Sequence, residues 1–283
     1  MSEPKKRKKP RPKRNLKIVW TFARGIVGIL WAYFSWMIRY SRHPEKYPLE
    51  VRYKKIRSFI ITLSKHMRFD FEGKNLQVVR DTKIALYVGN HQSVLDPLML
   101  IMANPHPIKF IAKEEARKIP FAGRVLKAMG SYFLDRKDPR QALGIFAQAQ
   151  KDLQDGVCSI GIFPEGTRNK HPEEVPLLEF HPGSLKVGTR ANVSIIPFSQ
   201  YGDFHILGTN ELNRSELVML TIHDPISAEE IKGMNTVELT ERIRGAMIGE
   251  IQAMSKKDQA YMASKKSHHK GRKWWKENPE VFA

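Results

Sequence analysis

The first residues whose types and spacing could do chemistry are His91 and Asp96, five positions apart. A histidine whose ring is oriented by a carboxylate can act as a general base on a hydroxyl group, because the carboxylate fixes the tautomer and stabilises the imidazolium. The spacing alone is weak evidence, since a chain with ten histidines contains such a pair by chance about half the time. For this fragment alone, a histidine or aspartate that caps a helix is the alternative.

Two further fragments could bind an anion. Phe163–Arg168 (FPEGTR) follows an apolar run, and its glycine-containing turn could hold an oxyanion through backbone N–H groups and the forked guanidinium of Arg168. The alternative is a tight turn with a surface arginine. Gly130–Arg136 brings two charged residues to the end of a predicted strand. Asp135 is typical of a structural ion pair, and Arg136 is the better candidate for binding.

Short apolar strands and helical patterns alternate from about residue 69 and must position these fragments. Predicted strands cover residues 84–90, 108–113, 131–135, 157–163, 193–198 and 216–222. Predicted helices cover residues 94–102, 123–129, 140–153, 184–191 and 236–254. The alternation predicts an α/β fold with a mostly parallel central sheet flanked by helices. Chemistry in such sheets collects beyond the carboxyl ends of the strands, where all three fragments lie.

Composition limits the class of protein. The 283 residues are 41% hydrophobic, which is enough for a core and excludes a wholly disordered chain. The single cysteine, Cys158, excludes an internal disulfide framework and a cysteine-based zinc cluster, and its apolar neighbours predict a buried, unreactive thiol. The net charge is +19, and residues 1–14 and 256–283 carry twelve of these charges. Both ends therefore indicate a polyanionic partner, either nucleic acid or an anionic membrane surface.

An apolar run over residues 25–38 follows the basic N-terminal segment. As a helix it would reach about 21 Å, short of the roughly 30 Å hydrocarbon core of a bilayer. Basic residues flank the run on both sides, so both flanks favour the cytoplasmic side of a membrane. We therefore expect an interfacial or re-entrant helix rather than a spanning one.

The next apolar pattern has helical spacing, with basic residues at the other positions: Ile56, Phe59, Ile60, Leu63 and Met67. This pattern is typical of a basic amphipathic helix in a membrane interface, and a surface helix packed on the domain is the alternative. The chain is thus predicted to have four parts: a basic tail (1–15), a membrane-associating helical module (16–68), a catalytic domain (69–255) and a basic C-terminal tail (256–283).

Four blocks occur in order along the body of the chain: NHQSVLDP (90–97), GSYFLDR (130–136), FPEGTR (163–168) and SIIPF (194–198). They resemble the blocks of the glycerolipid acyltransferase superfamily, and specifically of the 1-acyl-sn-glycerol-3-phosphate (lysophosphatidate) acyltransferase family. The resemblance covers about residues 70–225. FPEGTR alone would occur by chance in a chain of this length with a frequency of order one in 10⁵.

The resemblance implies an acyltransferase that moves a fatty acyl group from a thioester to the sn-2 hydroxyl of 1-acyl-glycerol-3-phosphate, which forms phosphatidate for phospholipid biosynthesis. The donor would be acyl-CoA or acyl-carrier protein, with no cofactor, no metal and no acyl-enzyme. His91 would be the general base, and Asp96 would orient it. The implied substrate pocket has six residues: Arg168 on the acceptor phosphate, Arg136 and Lys113 as helpers, and Glu165, Gly166 and Thr167 shaping it.

Two points stay open at this stage. The group that stabilises the tetrahedral oxyanion is not identified, and backbone N–H groups beside His91 are one hypothesis. Residues 169–179 form a longer loop than the turn requires, so their effect on substrate access is undetermined.

The alternatives differ in acceptor or in class. The acceptor could instead be glycerol-3-phosphate or a lysophospholipid with a head group. The expected partners are the acyl donor, lysophosphatidate and the lipids of an anionic leaflet, which would place the protein on the cytoplasmic face of a membrane. The distant alternative is a basic nucleic-acid-binding protein, in which Trp274 and Trp275 would stack on bases or equally anchor at a membrane. That alternative leaves four ordered blocks unexplained.

Overall fold

The computed structural model describes residues 28–65, 69–119, 121–208 and 216–264. The strands are β1 (Phe69–Lys74), β2 (Leu86–Gly89), β3 (Ile108–Lys113), β4 (Tyr132–Leu134), β5 (Ser159–Ile162), β6 (Ile195–Tyr201) and β7 (Glu216–Ile222). Residues 28–42 are helical and form α1, which contains a π-helical turn at Tyr33–Met37. The other α-helices are α2 (Leu49–Ser64), α3 (Gln77–Asp81), α4 (Asp96–Ala103), α5 (Ala122–Ala128), α6 (Pro139–Gln154), α7 (Lys186–Ala191), α8 (Asp203–Gly208), α9 (Ala228–Lys232) and α10 (Thr236–Ala263). Short 3₁₀ helices cover Pro44–Lys46, Glu114–Lys118 and Pro182–Leu185.

One seven-stranded sheet forms the centre of the molecule, in the order β1-β7-β6-β2-β5-β3-β4. The five strands from β6 to β4 run parallel, while β7 pairs antiparallel with β6 and parallel with β1. The predicted α/β fold with a mostly parallel sheet is therefore confirmed. Because five strands point the same way, their carboxyl ends meet at one edge of the sheet.

All six predicted strands and all five predicted helices are present. The short helices α3, α8 and α9 were not predicted, and two further additions lie at the β1 edge of the sheet. Strand β1, in register with β7 from Phe69↔Glu216 to Lys74↔Thr221, was not predicted. Helix α10 continues to Ala263, into the segment assigned to the basic tail. The two additions meet where the hydroxyl of Tyr261 donates a hydrogen bond to Asp70 at 2.8 Å.

Two apolar cores cover the opposite faces of the sheet. Helices α1, α2, α4 and α5 pack on one face, where every residue of α4 except Pro97 is buried. Helices α6, α7 and α10 pack on the other, where α10 places an apolar stripe from Leu239 to Met254 against the sheet. These layers hold the carboxyl edge of the sheet rigidly between helices.

Helix α2 packs against the rest of the domain with its apolar face, the face that was predicted from the sequence to lie in a membrane interface. Ile56, Ile60 and Leu63 are buried in the core, and Phe59 packs edge-on against Trp36 at a centroid distance of 5.7 Å. The alternative interpretation, a helix packed on the domain, thus describes α2. The prediction failed because burial against protein and burial in lipid produce the same apolar periodicity; Met67 lies outside the described residues.

Helix α1 divides its apolar side chains between the core and the surface. Trp36, Met37 and Tyr40 are buried, whereas Leu30, Trp31 and Phe34 are 47%, 64% and 67% exposed. Within the described ranges, no helix combines the length and apolar character needed to cross a membrane. The basic tail 1–15, residues 16–27 and the C-terminal tryptophans lie outside the described residues.

Candidate active site

His91 lies directly beyond the carboxyl end of β2, where hydrogen bonds to the neighbouring strand fix the backbone. The side-chain amide of Asn90 donates to the carbonyl of Gln200 at 2.9 Å, and the backbone N–H of Gln200 donates to the Asn90 side chain at 2.9 Å. The His91 ring stacks on Phe163 with a centroid distance of 4.5 Å and an angle of 21° between the planes. The position of the ring and the orientation of its plane are therefore both fixed.

Asp96 orients the His91 ring from the first turn of α4. Its carboxylate contacts the Nδ1 atom of His91, and it accepts backbone N–H groups from Gln92 at 2.7 Å and from Ser93 at 3.0 Å. Nδ1 carries the proton in this arrangement, so Nε2 is free to accept one. Burial lowers the pKa of His91 below its usual range and leaves the ring neutral near pH 7, as a general base requires. Burial also raises the pKa of Asp96, while the N–H donors oppose that change.

Glu165 connects the FPEGTR turn to His91 from behind. One carboxyl oxygen accepts the backbone N–H of His91 at 2.6 Å, and the other accepts that of Leu178 at 3.1 Å. Burial raises the pKa of Glu165 to about 7. Asn169 completes the connection, because its N–H donates to the carbonyl of His91 at 2.7 Å. The loop 169–179 is thus folded back onto the site by contacts at both of its ends.

Three cationic side chains converge on the same edge of the sheet. Lys113 ends β3, Arg136 follows β4, and Arg168 ends the turn after β5. Burial and then the nearby charges of Arg136 and Arg168 lower the pKa of Lys113, and Arg168 and Lys113 both act on the charge of His91. This concentration of positive charge beside His91 is suited to a phosphate group.

Two separate features of the turn favour glycine at position 166. Its φ of +64° lies in the left-handed region, and Arg136 donates a hydrogen bond to its carbonyl. A Cβ atom at Gly166 would lie 2.6 Å from the Arg136 guanidinium. Glycine therefore lets the turn form and Arg136 keep its position without backbone strain.

A cavity of about 1130 Å³ opens in front of His91. Six of the eight predicted site residues line it, and Asp96 and Glu165 lie buried behind the lining. Its apolar wall was not predicted from the sequence and includes Phe110, Ile119, Leu126, Leu134, Leu143 and Phe146. Further basic side chains on the rim are Lys170, Lys186 and Arg190. The arrangement can hold an anionic head group and a long apolar chain next to a neutral base.

The hypothesis that backbone N–H groups beside His91 stabilise an oxyanion is wrong for three of them. The N–H of His91 donates to Glu165, and those of Gln92 and Ser93 donate to Asp96. These donors are occupied by buried carboxylates and cannot reach a substrate. The sequence could not show this, because it does not indicate where the carboxylates point.

Cys158 is buried, which confirms that part of the prediction, and burial raises the pKa of its thiol to about 12. Among the described residues, no group of three or more His, Cys, Asp or Glu side chains could hold a metal ion.

Comparison with known proteins identifies a matching family and several relatives. The acyltransferase family model matches residues 70–200. The 1-acyl-sn-glycerol-3-phosphate acyltransferase of Helicobacter pylori is 34% identical over 163 residues, which cover 56% of this chain and 68% of that protein. The enzyme of the same name from Borreliella burgdorferi is 31% identical over 170 residues, which cover 60% of this chain and 66% of that protein.

Other comparisons show how much of the chain resembles known proteins and whether the fold is the same. A probable 1-acyl-sn-glycerol-3-phosphate acyltransferase of Mycoplasma genitalium is 34% identical over 184 residues, 62% of this chain and 64% of that protein. The chain thus spans slightly less than two thirds of the length of the Borreliella and Mycoplasma genitalium relatives. The crystal structure of the 1-acyl-sn-glycerophosphate acyltransferase PlsC from Thermotoga maritima superposes with a TM-score of 0.65 at 23% identity, covering 84% of this chain and 96% of that one. That structure shares the fold.

Proposed function

The chain belongs to the acyltransferase family that includes the bacterial 1-acyl-sn-glycerol-3-phosphate acyltransferases, and on this premise we propose that it acylates the sn-2 hydroxyl of 1-acyl-glycerol-3-phosphate to form phosphatidate. One observation carries the proposal. A neutral, oriented histidine faces a cavity that joins an apolar wall to three converging cations. A lysophosphatidate has the matching parts, a hydroxyl between a phosphate and an acyl chain.

His91 would act through its free nitrogen, Nε2. It takes the proton of the acceptor hydroxyl as the oxygen attacks the thioester carbonyl, and Asp96 stabilises the imidazolium that forms. When the tetrahedral intermediate collapses, the carbon–sulfur bond breaks and the leaving thiolate takes the proton from Nε2. The new ester bond forms directly. Within the described segments no serine or cysteine side chain is hydrogen-bonded to the His91 ring, and the buried Cys158 thiol does not line the cavity.

Arg168 would bind the acceptor phosphate together with Arg136 and Lys113. Arg168 and Lys113 project into the cavity, and the bond from Arg136 to Gly166 couples the third cation to the FPEGTR turn. Thr167 lines the same turn, and Glu165 fixes the turn against His91. The phosphate would then set the distance between the acceptor hydroxyl and Nε2.

The acyl donor would lay its chain along the apolar wall, with acyl-CoA or acyl-carrier protein as the thioester and no cofactor. Both donors are acidic, and Lys170, Lys186 and Arg190 on the rim are available to attract them.

The test is an activity matrix of both thioester donors against three acceptors in vesicles: lysophosphatidate, glycerol-3-phosphate and a lysophospholipid with a choline head group. Lysophosphatidate should be the preferred acceptor. Arg168→Ala should raise its KM by at least tenfold and leave the donor KM unchanged, because only the acceptor phosphate loses a charged ligand. Arg140→Ala, an exposed arginine at the start of α6, is the matched control. Turnover of the choline lipid alone would contradict the proposal.

The same proposal places the protein on the cytoplasmic face of an anionic membrane, held in part by α1. Leu30, Trp31 and Phe34 are exposed together on one end of this helix, and aromatic side chains favour the membrane interface. Nearby basic residues add about 1 kcal/mol each near an anionic leaflet.

Vesicles containing one third phosphatidylglycerol provide the test of this part. The double variant Trp31→Ser/Phe34→Ser should bind them about a hundredfold more weakly, since burial of each large apolar side chain contributes roughly 1.5–3 kcal/mol. Val237→Ser removes an exposed apolar side chain on α10 and should bind as the wild type does. Equal binding by the double variant would exclude this face as the contact.

A further inference from the structure

A second buried carboxyl group lies behind the His91–Asp96 pair. Asp203 is the first residue of α8, it is 0% exposed, and it follows the carboxyl end of β6. Strand β6 lies next to β2, and the hydrogen bonds between Asn90 and Gln200 fix the two strand ends against each other. Asp203 therefore belongs to the same edge of the sheet as His91.

The two carboxyl groups have very different hydrogen-bond partners. Asp96 accepts backbone N–H groups from Gln92 and Ser93 and contacts the ring nitrogen of His91. Among the described residues, no N–H or O–H donor meets hydrogen-bond geometry with either oxygen of Asp203. The Asp203 carboxyl nevertheless lies close enough to the Asp96 carboxyl and to the Ser93 side chain to interact with both.

Two carboxylates buried side by side cannot both be ionised, because their charges repel and neither is hydrated. The pair therefore shares one proton. Backbone N–H donors from Gln92 and Ser93 stabilise the anion at Asp96. Within the described part of the chain, Asp203 has no backbone donor and only the Ser93 side chain and His91 favour its anion, so the proton belongs on Asp203. Burial accordingly raises the pKa of Asp203 well above its usual value.

We propose that Asp203 is a positioning residue whose protonated carboxyl donates a hydrogen bond to Asp96 and holds it as the anion that orients His91. The inference rests on the proposed function for its kinetic consequences. The structural claim stands by itself, since it concerns which carboxyl carries the proton.

The charge of Asp203 has a direct effect on His91. An ionised Asp203 would raise the proton affinity of the ring, so a neutral Asp203 helps keep His91 available as a base. The charged or titratable groups that act on His91 are Asp96, Asp203 and Glu165 behind it and Arg168 and Lys113 in front of it.

Two substitutions separate the possible roles of Asp203. Asp203→Asn is neutral and keeps an N–H donor toward Asp96, whereas Asp203→Ala removes the donor. The measurement is the pKa of His91 by NMR of histidine-labelled full-length protein, which needs no turnover. We expect an unchanged pKa in the asparagine variant and a pKa raised by about one unit in the alanine variant, because Asp96 then loses a donor and attracts the imidazolium more strongly.

Kinetics supply the second readout. Asp203→Ala should lower kcat about tenfold with KM within twofold, since the orientation of Asp96 is loosened, and Asp203→Asn should keep most of kcat. Asp152→Asn changes another buried aspartate, bonded to Tyr132 at 2.5 Å and remote in sequence from these groups. It should lower the melting temperature without moving the pKa of His91.

Three results would overturn the inference. A lowered pKa of His91 in both Asp203 variants would show that Asp203 is ionised in the wild type. An unchanged pKa in both would show a purely structural role. Loss of most activity in Asp203→Asn would show that its charge is required. If the alanine variant does not fold, the asparagine variant alone still separates a neutral from an ionised Asp203. A wild type without acyltransferase activity would refute the proposed function and leave the NMR result valid.

Discussion

Replacing Asp96 with asparagine separates the charge of this group from its hydrogen bonds. An asparagine whose carbonyl oxygen takes the place of Oδ2 still accepts the N–H of Gln92 and still contacts Nδ1 of His91. Its amide nitrogen then faces the N–H of Ser93, where the carboxylate accepted a bond of 3.0 Å. The variant therefore keeps the tautomer of His91 and loses the negative charge and one acceptor.

The lost charge determines the size of the effect. Two unit charges about 4 Å apart interact by about 4 kcal/mol at the effective dielectric constant of about 20 that suits such sites. This attraction arises only when His91 is protonated, so it stabilises the transition state and not the ground state. At about 1.4 kcal/mol per tenfold change in rate, kcat should fall about a thousandfold. KM for the phosphate acceptor should change little, because Lys113, Arg136 and Arg168 are untouched.

Steady-state kinetics with lysophosphatidate in vesicles measure the effect, and the melting temperature monitors folding. Asp138→Asn is the matched control, because Asp138 also accepts two backbone N–H groups at a helix start, from Arg140 and Gln141. It should be destabilised and remain active. An Asp96→Asn variant that keeps more than a tenth of the wild-type kcat would refute the electrostatic role of Asp96.

Three more predictions concern the turn and the base. Glu165→Gln leaves one buried N–H, of His91 or of Leu178, without an acceptor, at a cost of about 1–3 kcal/mol in folding free energy. We expect a lower melting temperature in calorimetry and a reduced kcat. An unchanged melting temperature and kcat would contradict the role of Glu165 in fixing the turn against His91. Gly166→Ala forces a side chain into the left-handed region and against Arg136, so KM for the phosphate acceptor should rise more than KM for the donor; a larger effect on the donor would be the contrary result. The acid limb of kcat/KM should lie below the ordinary histidine pKa of about 6.5, because burial disfavours the imidazolium. Activity is lost as the pH falls through this lowered pKa, and an acid limb at or above pH 6.5 would contradict a buried neutral base.

The sequence was sufficient to predict that four charged or titratable residues meet at one edge of the sheet. Lys113 ends an apolar strand, His91, Arg136 and Arg168 each follow one, and parallel strands place their carboxyl ends at one edge. The order of the strands was not predictable, yet it determines the contacts. Strand β3 pairs with both β4 and β5, which brings Arg136 within hydrogen-bonding distance of Gly166, thirty residues further along the chain.

Features that depend on the direction in which a side chain or a helix face points could not be predicted from the sequence. The apolar stripe of α2 has the same periodicity whether it faces lipid or protein, and the core that buries Ile56 and Ile60 comes from distant segments. Asp203 follows a predicted strand as the other site residues do, so its position was a usable signal. Its distinguishing property is a buried carboxyl without a donor, and that appears only when neighbouring elements are in place.

In the proposed reaction, phosphate binding and the base strength of His91 would be linked through the charges that surround the ring. Burial is the main cause of the lowered pKa of the ring, and the positive charges of Arg168 and Lys113 lower it further. In the proposed reaction a bound phosphate compensates these charges, so the ring becomes a stronger base when the acceptor is in place. An acceptor without a phosphate leaves the cations uncompensated and meets a weaker base. The cations would therefore select the acceptor through kcat as well as through KM, because they act on the transition state and not only on binding.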